Sequence, residues 1–538
     1  MLYRLHSLQP IWRQIRFARI FPYVSLLLWL LPLLLFSSGQ NSLMAHDEGL
    51  YAWRSRRMFD SGDWIAPWGN VHHKTPGPYW LIAIAYKLFG VSEFSVRIPS
   101  AIAGILALLL VYEIGQIILS KKLAWLAAAI LSVEFLWLQY CRLGTPDVPM
   151  IFLVLLAIWS LLKAELHPQY RYIWSLIAGI SLGLGFLVRS FMIFVPIIAL
   201  LPYLIGEHRR HRHLANPLLY LGFVVGLIPT FSWLWLNWLR YGNGSFEELF
   251  RFVVRQNSEP RYPSSILFYV WNIPVNSFPW AFFGLLGLFL GFRRHVPRYH
   301  LLLVGFPLVM FVELSLFSTR LGHYSLGLYP FIAMLAAVGL DWLGRIYQLG
   351  LTKQNIARNL SYACGVLGIL LLLAAVVIFA WDDADISKFA IVSLIVGLGW
   401  LILPLIWIAR YHFNLKFLTA RYWLAGWLIP CWLALAVAGH LGLLSDYNPL
   451  YKAFFQQKAI ASILQTHPVY FVEVGGKNSV LLNFYTPIHG KQLDTVSQVP
   501  AFSYAWIETK QIPRFSRSYR ILGTVQNYQL IQVLPQGR

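Results

Sequence analysis

The chain has 538 residues, of which 58% are hydrophobic and only 12% charged; that balance is too apolar for a soluble protein of this length and points to many membrane spans. Lys and Arg outnumber Asp and Glu by 43 to 22, a net charge of +21, which would suit nucleic acid unless the basic residues fall between spans. The three cysteines, Cys141, Cys364 and Cys431, have no paired spacing, so neither a disulfide framework nor a metal cluster is indicated.

The first apolar run, 20–38, follows basic residues and lacks a small-residue cleavage pattern, so it reads as a retained span rather than a signal peptide. A long loop, 39–97, comes next. Its segment from Gly49 to Phe59 is amphipathic, and that from Tyr79 to Phe89 is apolar but too short to cross, so both read as interfacial helices. Further runs long enough for a hydrocarbon core lie at 98–118, 122–139, 148–166, 172–188, 191–206, 214–237, 266–291, 299–317, 323–343, 361–380, 387–409 and 422–443, which makes about thirteen transmembrane helices in all.

Orientation follows from the loops, since short cytoplasmic connections are enriched in Lys and Arg. Arg4, Arg13, Arg16 and Arg19 precede the first span, and alternate connections carry Lys121 with Lys122, Lys163 with Arg171, Arg209 with Arg210 and Arg212, and Arg293 with Arg294 and Arg298. The alternation continues through Arg345, Lys353 and Arg358 to Arg410, Lys416 and Arg421, while the acidic WDDADISK at 381–388 falls on the opposite side. The N-terminus is therefore expected in the cytoplasm and the tail after Leu444 outside it, in a multi-pass protein of a bacterial inner membrane. Placed in this way, the basic residues need no nucleic acid to explain them.

The tail, 445–538, contains a helix expected over Asn448 to Gln465 and then the short runs VYFVEV, SVLLNFY, YAWIET, YRILGTV and YQLIQVL, read as strands of a small α/β domain. The organisation is a transmembrane domain over 1–444 and an outer domain over 445–538.

Ionisable residues at span ends are default functional candidates, above all when several gather on one side. The outer ends supply Asp47 and Glu48, Asp147, Arg189, and Arg320 with His323; Lys74 lies in the first loop within HHKTPGPYW, where Pro and Gly favour a fixed turn. Carboxylates beside fixed cations suit glycosyl transfer from a sugar phosphate: one carboxylate takes a proton from an acceptor hydroxyl while Lys and Arg stabilise the departing phosphate. A polyprenyl-phosphate carrier would bring such a donor to the outer ends of the spans.

The segment HDEGLYAWRSRRMFDSGDWIAPWGNVHHKTPGPYWLIAIAYKLFGVSEFSVRIPSAIAG at 46–104 resembles the first extracytoplasmic loop of the aminoarabinose-transferase and protein O-mannosyltransferase group of GT-C glycosyltransferases. RLGTPDVPM at 142–150, GLGFLVRS at 183–190 and STRLGHYSLGLYP at 318–330 are similar too, so the resemblance runs along essentially the whole chain and is most specific in the first loop. It implies a polytopic α-helical membrane protein of GT-C type with a small extracytoplasmic α/β domain. The implied activity is inverting transfer of a sugar from a polyprenyl-phosphate donor to a lipid, glycan or protein acceptor. Asp47 would be the principal catalytic carboxylate, with Glu48 beside it and Asp147 as the second acid. Lys74, Arg189 and Arg320 would contact the donor phosphate, joined by Arg56 and Tyr324.

Three departures bear on sugar and metal. Leu50 stands where many aminoarabinose-transferase-like sequences are basic, His73 precedes Lys74 where they have Glu, and RFVVRQNSEPRY at 251–262 lacks their His. No residue is therefore assigned to a metal, though a divalent ion stays open as a cofactor; aminoarabinose as the sugar is unsupported. The rival readings are a flippase or transporter of lipid-linked sugars, a non-catalytic scaffold whose tail binds cell-wall polymer and, among enzymes, a protein O-mannosyltransferase.

Overall fold

The computed structural model describes residues 8–68, 74–244, 247–251, 265–293, 299–349, 354–381, 383–509 and 518–535. His72, His73, the segment 252–264 and the loop residues Arg4, Arg294, Arg298 and Lys353 lie outside them.

The chain is mostly helical. The first eight α-helices are α1 (Leu8–Leu35), α2 (Asp47–Ser61), α3 (Gly77–Phe89), α4 (Glu93–Ile118), α5 (Lys121–Ser132), α6 (Phe135–Cys141), α7 (Asp147–Leu166) and α8 (Arg171–Arg189). Among the described residues, 8 helices are long and apolar enough to cross a membrane, or up to 10 if each of two bent pairs is one span. The expected count of thirteen is not established by length and composition. The other expected crossings fall on two shorter apolar helices, Ile20–Leu35 and Leu301–Leu316, and within the 39-residue run Pro168–Gly206. That run doubles back, because Arg171 at its start donates to the carbonyls of His211 and Arg212 just beyond its end, at 2.8 Å each.

Two expected spans are interrupted. α5 and α6 meet at 71°, where the Val133 carbonyl accepts from the Trp280 indole at 3.2 Å instead of continuing the helix. Phe268–Asn276 and Trp280–Arg293 meet at 114°, at a junction where Pro279 has no N–H to give the helix ladder. α8 and the helix Pro217–Tyr241 approach through small residues: a Cβ on Gly179 or Gly183 would lie 2.1 or 2.4 Å from the carbonyl of Leu219 or Phe223. Such close small-residue contacts hold spans together where lipid offers no hydrophobic drive, and they fix α8, whose last residue is Arg189.

Basic residues collect at the end of the bundle remote from the first loop. Lys122 and Arg345 flank Asp341 at 2.7 and 2.8 Å, Lys163 pairs with Glu113 at 3.5 Å and Arg210 with Glu165 at 3.5 Å.

The C-terminal unit is a five-stranded sheet in the order β2-β1-β3-β5-β4, built from β1 (Val469–Val472), β2 (His489–Leu493), β3 (Tyr504–Glu508), β4 (Tyr519–Val525) and β5 (Tyr528–Val533). β1 is parallel to β2 and β3, whereas β5 is antiparallel to β3 and β4. The run SVLLNFY, expected as a strand, is the helix Ser479–Tyr485; short apolar runs carry too little periodicity to separate the two, and this one buries Val480 and Leu481 against Gly49 of α2. Strand β2, HGKQL, is an edge strand with no apolar pattern to announce it. The helix expected over Asn448 to Gln465 is two, Pro449–Phe455 and Lys458–Thr466.

First loop and C-terminal unit share one core, in which Tyr51, Met58, Tyr79 and Tyr86 pack with Tyr451, Phe454, Leu481 and Trp506. Arg97 is the hub beneath it. It donates to Glu48 at 2.8 and 3.1 Å and to the carbonyls of Ser38, Asn41, Ser42 and Ser445 at 2.7–3.1 Å. Glu48 is fully buried and also accepts from the Met44 and Gly144 backbone amides at 2.8 and 2.9 Å. Removing one member of a buried pair strands the other charge. Glu48→Ala is therefore expected to destabilise the protein by about 3–5 kcal/mol, read as a fall in thermal midpoint of the purified protein; an unchanged midpoint would show the hub to be dispensable.

Candidate active site

The adjacent acids at the start of α2 have opposite fates. Successive helix residues point about 100° apart, so with Glu48 locked inside, Asp47 is exposed. It stands at the helix N-terminus, where the macrodipole favours a carboxylate, after His46 at φ 70°. A positive φ is uncommon for a non-glycine residue and collects at functional turns. Tyr51 and Arg54, four and seven residues after Asp47, continue the same face.

The second acid comes from the bundle. α7 begins at Asp147 and antiparallel α8 ends at Arg189, so the two termini meet; Arg189 Nη2 lies 2.9 Å from Asp147 Oδ1, with both side chains largely buried. Ser190, directly after Arg189, is at φ 52°, the second strained turn beside a candidate residue. The Tyr51 hydroxyl lies within reach of Arg189, and burial pushes its phenol up to about 12, keeping it a neutral hydrogen-bonding group.

Lys74 closes the cluster from above, its Nζ 4.6 Å from the centre of the Tyr51 ring. Tyr51 in turn lies 5.3 Å from Tyr79, and Tyr79 lies 5.5 Å from Trp68. Burial pushes the Lys74 ammonium below its ordinary range, and the nearby Arg189 pushes the same way. The turn after Lys74 is anchored by backbone contact: a Cβ on Gly77 would stand 2.5 Å from the Leu187 carbonyl oxygen. Gly77→Ala must therefore shift α3 away from α8 and carry Lys74 away from Arg189. A displacement near 1 Å can cost about 100-fold in rate; an intact rate at saturating donor in that variant would show that the two cations act independently.

His323 stacks on Tyr140 with ring centres 5.3 Å apart and lies in the field of Asp147, Arg189, Asp47 and Lys74 together. The structure thus brings Asp47, Asp147, Lys74 and Arg189 to one place. Tyr324 joins at the edge, 4.8 Å from His323 and acting on Arg189. Arg320 directs its Nε to the Ser315 carbonyl at 3.0 Å. Two candidates are turned elsewhere. Glu48 is committed to Arg97, and Arg56 donates to the Phe484 carbonyl and pairs with Asp60 at 3.3 Å, bracing the C-terminal unit. Tyr51, Tyr140 and Arg54 were not among the expected site residues; their i+4 and i+7 spacing from Asp47 is the signal that could have found Tyr51 and Arg54. Among the described residues no group of three or more His, Cys, Asp or Glu side chains is placed to hold a metal.

Comparison with known proteins follows the same lines. Residues 73–235 match the family described as dolichyl-phosphate-mannose-protein mannosyltransferase. The chain is 24% identical to an uncharacterised protein of Aquifex aeolicus over 58% of its own length and 63% of that protein, which is under two thirds of the relative. It is 27% identical to undecaprenyl phosphate-alpha-4-amino-4-deoxy-L-arabinose arabinosyl transferase 2 of Pseudomonas fluorescens, over 85% of this chain and 79% of that one. The structure of ArnT from Cupriavidus metallidurans superposes with TM-score 0.73 in the apo state at 20% identity, covering 96% of this chain and 98% of that one. With undecaprenyl phosphate bound to that protein the score is 0.72 at 19% identity. The fold is therefore that of the ArnT-like GT-C proteins.

Proposed function

We propose that this chain, whose fold is that of ArnT-like GT-C proteins, is a membrane glycosyltransferase taking its sugar from a polyprenyl-phosphate donor and delivering it to a lipid, glycan or protein acceptor. The observation that carries the reading is the meeting of Asp47 and Asp147 with Lys74 and Arg189 in one cluster at one end of the spans.

The chemistry follows from the charges. Asp47 takes the proton of an acceptor hydroxyl; that oxygen bonds to the anomeric carbon from the face opposite the phosphate, and the C–O bond to phosphate breaks with its electron pair on the leaving oxygen. Lys74 and Arg189 stabilise the charge that develops there. Asp147 holds Arg189 in place, Tyr324 lies at the edge of the cluster beside Arg189, and Arg320 is bonded to the Ser315 carbonyl. Attack opposite the leaving group inverts the anomeric carbon. The similarity to arabinosyl and mannosyl transferases leaves pentose and hexose donors both in play.

The segregation of basic residues to the opposite end of the bundle supports a cytoplasmic N-terminus, with the cluster and the 445–538 unit on the extracytoplasmic side of a bacterial inner membrane. α3 leaves Ile84, Leu88 and Phe89 exposed on its outer face, which supports its lying in the interface beside the cluster, so that a donor enters from the leaflet. Purified protein in lipid, supplied with a panel of radiolabelled polyprenyl-phosphate sugars, is expected to turn over at least one donor. Labelled lipid that crosses the bilayer with no donor consumed would replace the transferase by a flippase.

A further inference from the structure

We infer that Arg54 is a donor-phosphate ligand, the third cation of the site, completing a charge balance that Lys74 and Arg189 alone leave unmet. The inference rests on the transferase reading and names a further binding residue within it.

Arg54 lies seven residues after Asp47 and three after Tyr51, on the face of α2 that carries both. Its guanidinium carbon sits 5.5 Å from the centre of the Trp68 ring and 5.9 Å from that of Trp53. Those faces orient the fork, and the Arg54 side chain also hydrogen-bonds Tyr79, but this leaves part of the guanidinium without a partner. Nε and Nη1 are buried with no hydrogen-bond partner among the described residues, and so is the Trp53 indole N–H. A buried N–H left unsatisfied costs about 1–3 kcal/mol, more for a charged group, so three such donors in one place call for a ligand that accepts hydrogen bonds. Arg54 also acts on both Lys74 and Tyr79, which places it at the same cluster.

Charge identifies that ligand. Asp47 and Asp147 offset Lys74 and Arg189, so without Arg54 the cluster is neutral and a phosphodiester would enter it as an uncompensated anion. With Arg54 the cluster carries one positive charge and the phosphodiester closes the sum. As the glycosidic bond breaks, the phosphate gains one negative charge while Asp47 takes up one proton, so the balance holds through transfer. The chemistry recognised is a phosphate on a lipid; the sources to separate are the polyprenyl carrier, the head group of a bulk phospholipid and free phosphate.

The test measures binding of radiolabelled undecaprenyl phosphate to the full-length protein in nanodiscs of phosphatidylcholine, with phosphatidylglycerol and inorganic phosphate as competitors. Arg54→Gln is expected to raise Kd by about tenfold or more with an unchanged thermal midpoint, and Arg54→Lys, which keeps the charge but loses the fork, by less. Should Arg54→Gln fail to fold, the Lys variant alone decides, since a wild-type Kd there would overturn the proposal. A wild-type Kd for Arg54→Gln overturns it as well, as does displacement by phosphatidylglycerol or inorganic phosphate as effective as by unlabelled carrier. If the wild type consumes a polyprenyl-phosphate sugar while Arg54→Gln binds carrier normally, this inference fails and the transferase reading stands; if the wild type neither binds carrier nor consumes donor, both fail.

Discussion

Asp47→Asn is expected to lower the single-turnover rate of sugar transfer by about 10²–10⁴, the range attached to a positioned general base, while donor Kd stays within a few-fold of wild type. Asparagine fills the same space and keeps an acceptor oxygen, but it cannot take a proton. The choice of Asp47 over Asp147 rests on their surroundings. Asp147 is largely buried and its carboxylate is committed to Arg189 at 2.9 Å, which leaves it no open side from which an acceptor hydroxyl can approach. Asp47 is exposed on its helix end, where an acceptor hydroxyl can reach it. Asp147→Asn should instead loosen Arg189 and weaken donor binding, raising KM more than it lowers the rate. A full rate in Asp47→Asn together with a collapsed rate in Asp147→Asn would reverse the two roles. Glu48 supplies the contrast, since its loss is expected to show in the thermal midpoint and not in the chemistry of a protein that still folds.

The pair Asp47-Glu48 also shows where the sequence stops being legible. Apolar runs mark spans because lipid demands about twenty apolar residues for a crossing, and the gathering of Asp47, Lys74, Asp147 and Arg189 at one end could be anticipated from where those spans begin and end. Which of two neighbouring acids joins the cluster could not, because that depends on Arg97, 49 positions beyond Glu48. The same holds for Arg54 and Arg56, two cations two residues apart on one helix, of which one lies among the site's rings and the other braces the Phe484 carbonyl. In the tail, strands β1, β3, β4 and β5 carry apolar runs that announce them, whereas β2 is polar and the apolar SVLLNFY is a helix. Both cases are decided by neighbours in space: β2 by pairing along β1, the helix by burial against α2.

Lys74→Met is expected to reduce kcat/KM by about 10²–10³, as loss of one charge-stabilising donor commonly does, and Lys74→Arg is expected to retain most of it with an altered pH profile. The direction follows from burial. The Lys74 ammonium sits among the Tyr51 and Tyr79 rings with Arg189 and Arg54 nearby, and it gives up its proton at a lower pH than an ordinary lysine. Its charged form is complete below that lowered pKa and is lost as pH rises through it, so the alkaline limb of kcat/KM, which reports the free enzyme, should fall below the ordinary lysine value of about 10.4. A bound phosphate favours the ammonium, and the corresponding limb in kcat should lie higher than in kcat/KM. Arginine stays protonated throughout; Lys74→Arg should therefore move the alkaline limb of kcat/KM upward while leaving the acidic limb in place. An alkaline limb that is the same in wild type and Lys74→Arg would mean that Lys74 does not meet the donor as a titrating cation. Phosphate stabilisation would then fall to Arg189 and the remaining arginines, with Arg54 among them on the inference above.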